Sequence, residues 1–351
     1  MKKSAFFIGL FLCVMVFQIN AQTETRMFSG SVGENRVQMT LERNGDALSG
    51  TYFYQKIGKD LKLSGAVNKD GTFTLTEKSP TGAKTGDFKG NWNNTEDDDA
   101  ITLNGEWKNP QGTKTFEFYL TEQMIFFTGG AKITPQFFTE SNKPKIFSIA
   151  AEYPEISGVS PPVAAKFNQT AKSKVMTEVG KFKKDFLAQT AEDLKFFKES
   201  GIENTVEISY NITYADNEIV SVWFGNYFYT GGAHPNSYSF TLNFDLKTGR
   251  ELKLDELFKP NSNYLKVISD YCIQKLKEHF EEDADADWIE TGAGATAENY
   301  RSWNITRKGL EINFDSYQVA PYVAGPQEVV VPYDKIRNVF GTDYSVFKAG
   351  K

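Results

Sequence analysis

Cysteine and histidine are nearly absent from this sequence. Cys13 and Cys272 are the two cysteines among 351 residues, and Cys13 falls in an apolar leader, so the chain without that leader can form neither an internal disulfide nor a thiolate metal cluster. His234 and His279 are the two histidines, and their spacing matches no metal-binding motif. The sequence also lacks a glycine-rich phosphate loop, a Gly-Xaa-Ser-Xaa-Gly elbow and a paired-cysteine motif. We therefore expect no metal, no cofactor and no catalytic centre of a familiar type.

The first 21 residues have the pattern of an export signal. Lys2 and Lys3 precede an apolar run over residues 5–17, which is too short to cross a bilayer core, and a small residue stands just before Gln22. We expect cleavage of residues 1–21, no membrane span in the remaining chain, and a periplasmic or extracellular location. An uncleaved anchor is the alternative.

Acidic residues outnumber basic ones. Without the leader, 37 basic and 45 acidic residues remain, which gives a formal net charge of -8. This charge repels polyphosphate and no basic block interrupts it, so we expect no nucleic-acid partner. A cationic protein would instead be attracted.

Residues 22–124 alternate between apolar and polar side chains, as short strands do. Turn residues recur at intervals of about 8–12 positions, and an apolar-Xaa-Gly-Xaa-aromatic pattern ends at Tyr52, Trp92 and Trp107. Glycine inside a strand favours the bends that a small barrel needs. We predict an all-β antiparallel meander closed into a barrel, followed by a linker over residues 125–144.

The three aromatic residues of this pattern leave two interpretations of the barrel open. Tyr52, Trp92 and Trp107 either fill the interior as core or line a cavity for a small apolar ligand. A barrel of about eight strands is just wide enough for side chains to fill, which favours the core interpretation. A carrier of a small apolar ligand is the alternative.

Residues 145–351 mix helical and strand patterns. A stripe of large apolar residues at spacings of three and four follows Pro162, and a second stripe spans residues 264–280. The second stripe includes Cys272, which we expect to be a buried, unreactive thiol. Alternating runs such as residues 206–214 predict strands. Together these patterns predict an α+β domain in which helices pack on an antiparallel sheet.

Residues 227–235 read Tyr-Phe-Tyr-Thr-Gly-Gly-Ala-His-Pro and join aromatic strand sequence to a paired-glycine turn. A second turn follows over residues 245–249, and residues 314–322 carry another aromatic pattern near the end of the chain. These motifs resemble the extracellular domain of RsiV, an anti-sigma factor that senses lysozyme. Residues 151–157 and the helix after them resemble the region attached to the deacetylase PdaC. The resemblance covers about residues 145–340.

This resemblance implies a partner at the cell envelope: lysozyme or another cationic protein, or peptidoglycan. The chain also departs from both families. A β domain stands where an anti-sigma factor of this type has its cytosolic segment and membrane helix, and the sequence contains no metal-dependent deacetylase domain. We therefore expect neither anti-sigma nor deacetylase activity from it.

The candidate binding residues lie on and beside the double-glycine bend: Tyr227, Tyr229, Gly231, Gly232, His234 and Pro235. We expect the glycines to supply a positive backbone dihedral and His234 to lock the turn through a hydrogen bond to nearby backbone. As a catalytic base, His234 would need a carboxylate to orient it. A hydrolase of envelope glycan or peptide with His234 at its site is therefore the alternative function.

An acidic run supplies a second group of candidates, Glu281, Glu282, Asp283, Asp285 and Asp287. Its aspartates alternate as in a calcium loop, but Trp288 stands where an EF-hand loop needs glycine. We expect a solvated loop that attracts a basic partner, not a metal site. The leading interpretation of the chain is an exported, non-catalytic binding protein of the bacterial envelope.

Overall fold

The computed structural model describes residues 23–54, 57–93, 100–142, 147–281 and 285–348. The predicted export signal lies outside the described residues, as do Glu282 and Asp283 of the acidic run. Within these described ranges, every helix is too short or too polar to span a bilayer.

Eight antiparallel strands close into a barrel, in which each strand pairs with its neighbours in sequence and the first pairs with the eighth. This architecture confirms the predicted barrel-like meander. The strands are β1 Glu24–Val32, β2 Asn35–Asn44, β3 Ala47–Tyr54, β4 Leu61–Val67, β5 Thr72–Lys78, β6 Lys84–Asn93, β7 Thr102–Lys108 and β8 Thr115–Gln123.

Aromatic side chains pack the interior of the barrel. Tyr52, Trp92 and Trp107 are all buried there, and the Tyr52 ring meets the Phe88 ring edge-on at 5.4 Å between centroids. The Tyr52 hydroxyl and the Trp107 indole N–H both donate to the buried Glu77 carboxylate, the second over 2.7 Å. These rings are therefore part of the core, in agreement with the core interpretation.

A six-stranded sheet forms the centre of the second part of the chain. In spatial order it contains β14 Arg250–Glu251, β13 Asn236–Asp245, β12 Ile219–Tyr229, β11 Asn204–Ala215, β10 Phe147–Ser157 and β9 Lys132–Asn142. The pair β10 and β11 is parallel, unlike the antiparallel pairing of the other neighbours. Two helices, α1 Pro161–Leu187 and α2 Ala191–Ser200, lie between β10 and β11 in sequence, because parallel strands need a crossover connection.

The prediction of a linker over residues 125–144 was wrong for the part that forms β9. This strand pairs with β10 from Lys132 to Asn142. It lies at the edge of the sheet with one face covered: Ile133 is buried, whereas Phe137 is 39% exposed. Such an edge strand, which also contains Pro135, carries a weak sequence signal.

The helix α1 packs on one face of the large sheet along its predicted apolar stripe. The stripe is buried at every position: Phe167, Ala171, Val175, Val179, Phe182 and Phe186. The Phe167 ring meets Phe244 of β13 edge-on at 5.4 Å. Each large side chain buried in this way contributes roughly 1.5–3 kcal/mol, so α1 covers this face of the sheet and leaves the opposite face for other contacts.

A small antiparallel sheet and three helices surround a further core. The sheet contains β15 Trp303–Ile305, β16 Gly309–Phe314 and β17 Gln327–Pro332, and the helices are α3 Tyr264–Phe280, α4 Ala286–Gly292 and α5 Tyr333–Ile336. The helix α3 has the predicted bounds. Cys272 on α3 is fully buried, and this burial raises the pKa of its thiol to about 12, so the side chain is the unreactive thiol that its position in the stripe predicts.

Glu218 connects the C-terminal segment to the large sheet. Its carboxylate accepts hydrogen bonds from the Lys247 ammonium and, over 2.6 Å, from the Ser345 backbone N–H. Burial opposes ionisation, but these donors prevail and lower the pKa of Glu218 from 4.5 to about 2. The resulting stabilisation is present above about pH 4.5 and is lost as the pH falls toward about 2, because the folded-state pKa lies below the unfolded one.

We predict that acidification will lower the melting temperature of the wild-type protein more than that of Glu218→Gln. Circular dichroism melts between about pH 6 and about pH 2 measure this difference, since the variant lacks the titrating carboxylate. Equal pH dependence in the two proteins would contradict the assigned role of Glu218.

Candidate binding cleft

A cleft of about 700 Å³ opens where the barrel, the large sheet and the small sheet meet. Its floor is the face of the large sheet opposite α1. One wall comes from barrel strands β1, β2 and β8, and the other from β16 and β17. The floor includes Glu207, Ser209, Asn211, Trp223, Gly225 and Tyr227; the barrel wall includes Ser31, Arg36 and Tyr119; the small-sheet wall includes Glu311, Asn313, Gln327 and Glu328.

Direct contacts hold the barrel against the large sheet. The Arg36 guanidinium of β2 lies 3.1 Å from the Glu152 carboxylate of β10, whose side chain is only 10% exposed. At the end of β8, the Gln123 amide oxygen accepts a hydrogen bond from the Ile212 backbone N–H over 2.9 Å. The barrel is therefore a fixed wall of the cleft, because a buried polar contact and an ion pair both anchor it to the floor.

Strand alternation decides which side chains of β12 face the cleft. Val222 and Phe224 are fully buried in the core beneath α1. Because successive side chains of a strand point to opposite faces, Trp223, Gly225 and Tyr227 face the cleft. The central strand of the floor thus presents two aromatic rings separated by a glycine.

The indole of Trp223 lies across Gly225. A Cβ atom at position 225 would lie only 2.5 Å from Cη2 of the indole, well inside contact distance. The absence of a side chain at Gly225 therefore allows the ring to lie along the sheet surface instead of standing away from it. Trp223 forms a flat apolar platform on the floor of the cleft.

Two further aromatic side chains lie around this platform and reach solvent. Tyr227 on the floor is 46% exposed, and Tyr119 on the barrel wall is 57% exposed. Aromatic side chains with a polar tip can contact the apolar face of a ligand and hydrogen-bond to its edge. The three rings suit a flat ligand that has apolar faces and polar edges.

The charged side chains that line the cleft are mostly acidic. Among the lining side chains, one is basic, Arg36, and five are acidic. The acidic residues are Glu152, Glu207, Glu311, Asp315 and Glu328. Asp315 is held in place because it accepts hydrogen bonds from the Ser239 backbone N–H over 2.8 Å and from Arg301 over 3.1 Å. This lining disfavours a polyanion and provides acceptors for hydroxyl, amide or ammonium donors.

Among the residues predicted from the double-glycine bend, Tyr227 lines the cleft. Tyr229, the last residue of β12, is half-buried and is not one of the lining residues. Gly231 has a φ of 83°, and a Cβ there would lie 2.1 Å from Cε1 of Phe197. Gly232 is exposed. The bend therefore packs on α2 through Gly231 and does not project freely into solvent.

His234 lies half-buried against Tyr322. The two rings stack with centroids 4.0 Å apart, and the imidazole Nδ1 is 2.8 Å from the Pro235 carbonyl oxygen. The Tyr322 hydroxyl donates to that same oxygen over 2.7 Å. None of the hydrogen bonds or ion pairs of the described residues joins His234 to a carboxylate. His234 thus has the backbone contact expected of a turn-locking residue and lacks the orienting acid that the hydrolase alternative requires there.

The described acids of the run 281–287 lie at the junction of α3 and α4, outside the cleft lining. Glu281 ends α3 with a φ of 49°, and Asp285 caps α4 by accepting from the Trp288 N–H over 3.0 Å. Asp287 is exposed in the first turn of α4. Within the described ranges, no three histidine, cysteine or acidic side chains are arranged to hold a metal ion.

The sequence interpretation did not include Trp223, Tyr119 or Glu207 among the candidate site residues. Trp223 lies in β12. The signal that could have identified it is the glycine two positions later, because residues i and i+2 of a strand share a face and Gly225 leaves room for the ring. Tyr119 and Glu207 carry no comparable local signal.

Two segments of the chain match known protein families. Residues 140–237 match the family described as deacetylase PdaC, and residues 255–334 match DUF3298, a family of unknown function. The curated peptidoglycan-N-acetylmuramic acid deacetylase PdaC of Bacillus subtilis (strain 168) is 26% identical over 203 residues, which are 58% of this chain and 41% of that protein. The chain thus spans about two fifths of the length of this relative. These matches show that the two segments are similar to these families.

Two crystal structures of DUF3298 family members are similar to part of the chain. The protein from Bacteroides fragilis NCTC 9343 is 21% identical, with 62% of this chain and 97% of that chain covered and a TM-score of 0.46. The protein from Pseudomonas aeruginosa PAO1 is 14% identical, with coverages of 63% and 96% and a TM-score of 0.45.

Proposed function

We propose that this protein is an exported component of the bacterial envelope that binds cell-wall glycan in the cleft without cleaving it. The observation that carries the proposal is the Trp223 indole, laid along the sheet by the absence of a side chain at Gly225 and flanked by two exposed tyrosines. A pyranose ring has an apolar face of C–H groups, which an aromatic platform can cover, and a rim of hydroxyl groups, which need polar partners.

The walls of the cleft supply those polar partners. Carboxylates such as Glu207 and Glu328 accept hydrogen bonds from hydroxyl groups, and the side-chain amides of Asn211 and Gln327 match the amide of an N-acetyl group. A volume of about 700 Å³ lies within the range of ligand sites in proteins, roughly 300–1,000 Å³. A neutral sugar chain also avoids the repulsion that the acidic lining imposes on anions.

The sequence comparisons support the same ligand class. The B. subtilis relative is named for a deacetylase that acts on the N-acetylmuramic acid of peptidoglycan. The segment matched to its family, residues 140–237, includes the floor strands β10, β11 and β12 with Trp223 and Tyr227. We infer that this segment contributes glycan recognition in the present chain.

Titration calorimetry with a neutral N-acetylglucosamine hexamer tests this function. The exported chain, residues 22–351, is expected to bind the hexamer with a Kd on the order of 10–100 μM. Prolonged incubation is expected to release no new reducing ends, measured with a colorimetric assay. Absence of heat up to about millimolar hexamer would contradict glycan binding.

Two other outcomes would favour the alternatives. Release of sugar fragments that His234→Ala abolishes would favour the hydrolase. Heat with a cationic lysozyme, but none with the hexamer, would favour a protein partner attracted by the acidic surface.

A further inference from the structure

The strand β13 forms an open edge of the large sheet. One side of β13 pairs with β12 from Asn236 to Asp245, whereas on the other side β14 pairs only with Phe244 and Asp245. Among the described residues, no strand pairs with the backbone of β13 before Asn243 on that side. A sheet edge that lacks a partner strand is a template for an added strand.

The hydrogen bonds of β13 show which backbone groups point to the open side. The Ser239 N–H donates outward to Asp315, and the Asn243 carbonyl accepts outward from the Leu252 N–H over 2.7 Å. In an antiparallel pair, hydrogen-bonded and non-hydrogen-bonded residues alternate, so Ser237 and Thr241 also direct their N–H and C=O groups outward. Among the described residues, these four groups of Ser237 and Thr241 have no backbone partner.

A groove of about 920 Å³ runs along this edge. One side of the groove comes from α1, with Lys174, Glu178 and Lys181, and the other from residues 251–255 and 300–303. Lys174 and Lys181 are ion-paired with Glu251 and Glu178, each over 2.7 Å, so both sides of the groove are ordered and polar.

The Asp315 carboxylate occupies the position between Ser237 and Thr241 that an added strand would use, so a bound strand would displace this carboxylate from the Ser239 N–H. Its Oδ1 accepts from both the N–H and the hydroxyl of Ser239, over 2.8 and 3.2 Å, as a carbonyl oxygen of an added strand would accept from that N–H. Asp315 lines both the edge groove and the cleft, as do Ser237 and Ser239. A ligand in the cleft can therefore continue to the β13 edge without leaving the protein surface.

We propose that the β13 edge binds the peptide that is attached to a cell-wall glycan, in extended form, by main-chain hydrogen bonds to Ser237 and Thr241. This inference rests on the proposed function, since it places the sugar part of the same polymer in the cleft. The span from Ser237 to Thr241 is about 13 Å at the usual rise of a strand, which matches a peptide of about four residues. Addition of a strand to a sheet edge is an established mode of peptide recognition.

Titration with two soluble probes tests the peptide site. One probe is the disaccharide of N-acetylglucosamine and N-acetylmuramic acid carrying a tetrapeptide. The other is the same disaccharide without peptide, with its lactyl carboxylate capped as a simple amide, because the acidic lining would repel a free carboxylate there. For the wild-type chain, the tetrapeptide is expected to improve affinity about 10-fold, the effect of two main-chain hydrogen bonds of ordinary strength. Thr241→Pro removes an outward N–H and no bond to β12, so it is expected to reduce this gain to about 3-fold while affinity for the bare disaccharide is unchanged.

Thr241→Ala is the matched control, because it shortens the same side chain but retains the N–H, and it is expected to keep the 10-fold gain. An equal gain in wild type and Thr241→Pro, or no gain in wild type, would overturn the peptide site and leave glycan binding standing. Failure of both probes to bind would overturn the glycan function and the peptide site together.

Amide hydrogen exchange of the wild-type chain provides a test that does not depend on the folding of a proline variant. The amides of Ser237 and Thr241 are expected to slow at least about 10-fold with the tetrapeptide probe and not with the bare disaccharide. Unchanged exchange at both amides with the tetrapeptide probe bound would contradict the proposed main-chain contacts.

Discussion

Replacing Trp223 by alanine is expected to weaken binding of the N-acetylglucosamine hexamer about 30-fold, which corresponds to the loss of roughly 2 kcal/mol that is typical of a central aromatic residue in a binding site. The indole lies on the floor of the cleft and faces solvent on its free side, so truncation removes the apolar platform without opening the core under α1. Titration calorimetry at matched protein concentration measures the change.

Two further variants distinguish contact from general damage. Phe196→Ala removes an aromatic side chain that is 55% exposed on α2, outside the cleft, and is expected to leave the affinity within about 2-fold of wild type. Gly225→Ala keeps the indole but adds a Cβ that would lie 2.5 Å from it, so we expect a loss close to that of Trp223→Ala. Unchanged affinity in Trp223→Ala would contradict the cleft as the glycan site.

Replacing Glu77 by alanine is expected to destabilise the barrel by roughly 2–4 kcal/mol. The Glu77 side chain is buried and accepts hydrogen bonds from the Tyr52 hydroxyl and from the Trp107 indole N–H. Its removal leaves two buried donors without a partner and a space in a packed core, and each effect costs free energy. Urea denaturation followed by the fluorescence of the barrel tryptophans measures the free energy of unfolding.

Glu106→Ala is the control for the loss of a carboxylate charge. Glu106 is an exposed barrel residue, and among the ion pairs of the described residues its carboxylate pairs with one exposed side chain, that of Lys108. We expect a change within about 0.5 kcal/mol for this variant. A similar small change in Glu77→Ala would show that the buried carboxylate is not a central element of the barrel core.

Periodic patterns made the larger elements predictable from the sequence. The apolar residues from Phe167 to Phe186 recur with the period of a helix, so that a helix places all of them on one buried side. The apolar residues of 264–280 recur in the same way. For this reason α1 and α3 were predicted close to their observed bounds. The barrel was predictable because each strand alternates and each turn carries glycine, asparagine or aspartate.

Elements with weaker periodicity were missed. The edge strand β9 has only one covered face, and α2 is a ten-residue helix with one buried side chain, Phe197. The parallel pairing of β10 and β11 depends on the crossover through α1 and α2, which local alternation does not encode. These features follow from tertiary contacts more than from local sequence.

The cleft could not be predicted, because it joins residues that are far apart in the chain. Tyr119 of the barrel, Trp223 of the large sheet and Glu328 of the small sheet meet only after three separate sheets have packed together. The double-glycine bend directed attention to Tyr227, which lines the cleft. It directed attention away from Trp223, four residues earlier, whose role depends on the space above Gly225.

Hydroxyl-radical footprinting of residues 22–351, with and without the N-acetylglucosamine hexamer, tests glycan binding in the cleft most directly. Protection is expected at Tyr119, Trp223 and Tyr227, because a bound sugar chain covers their exposed faces, and none at Phe196. Protection centred instead on His234 and Tyr322, with Trp223 unchanged at saturating hexamer, would contradict the assignment of the cleft.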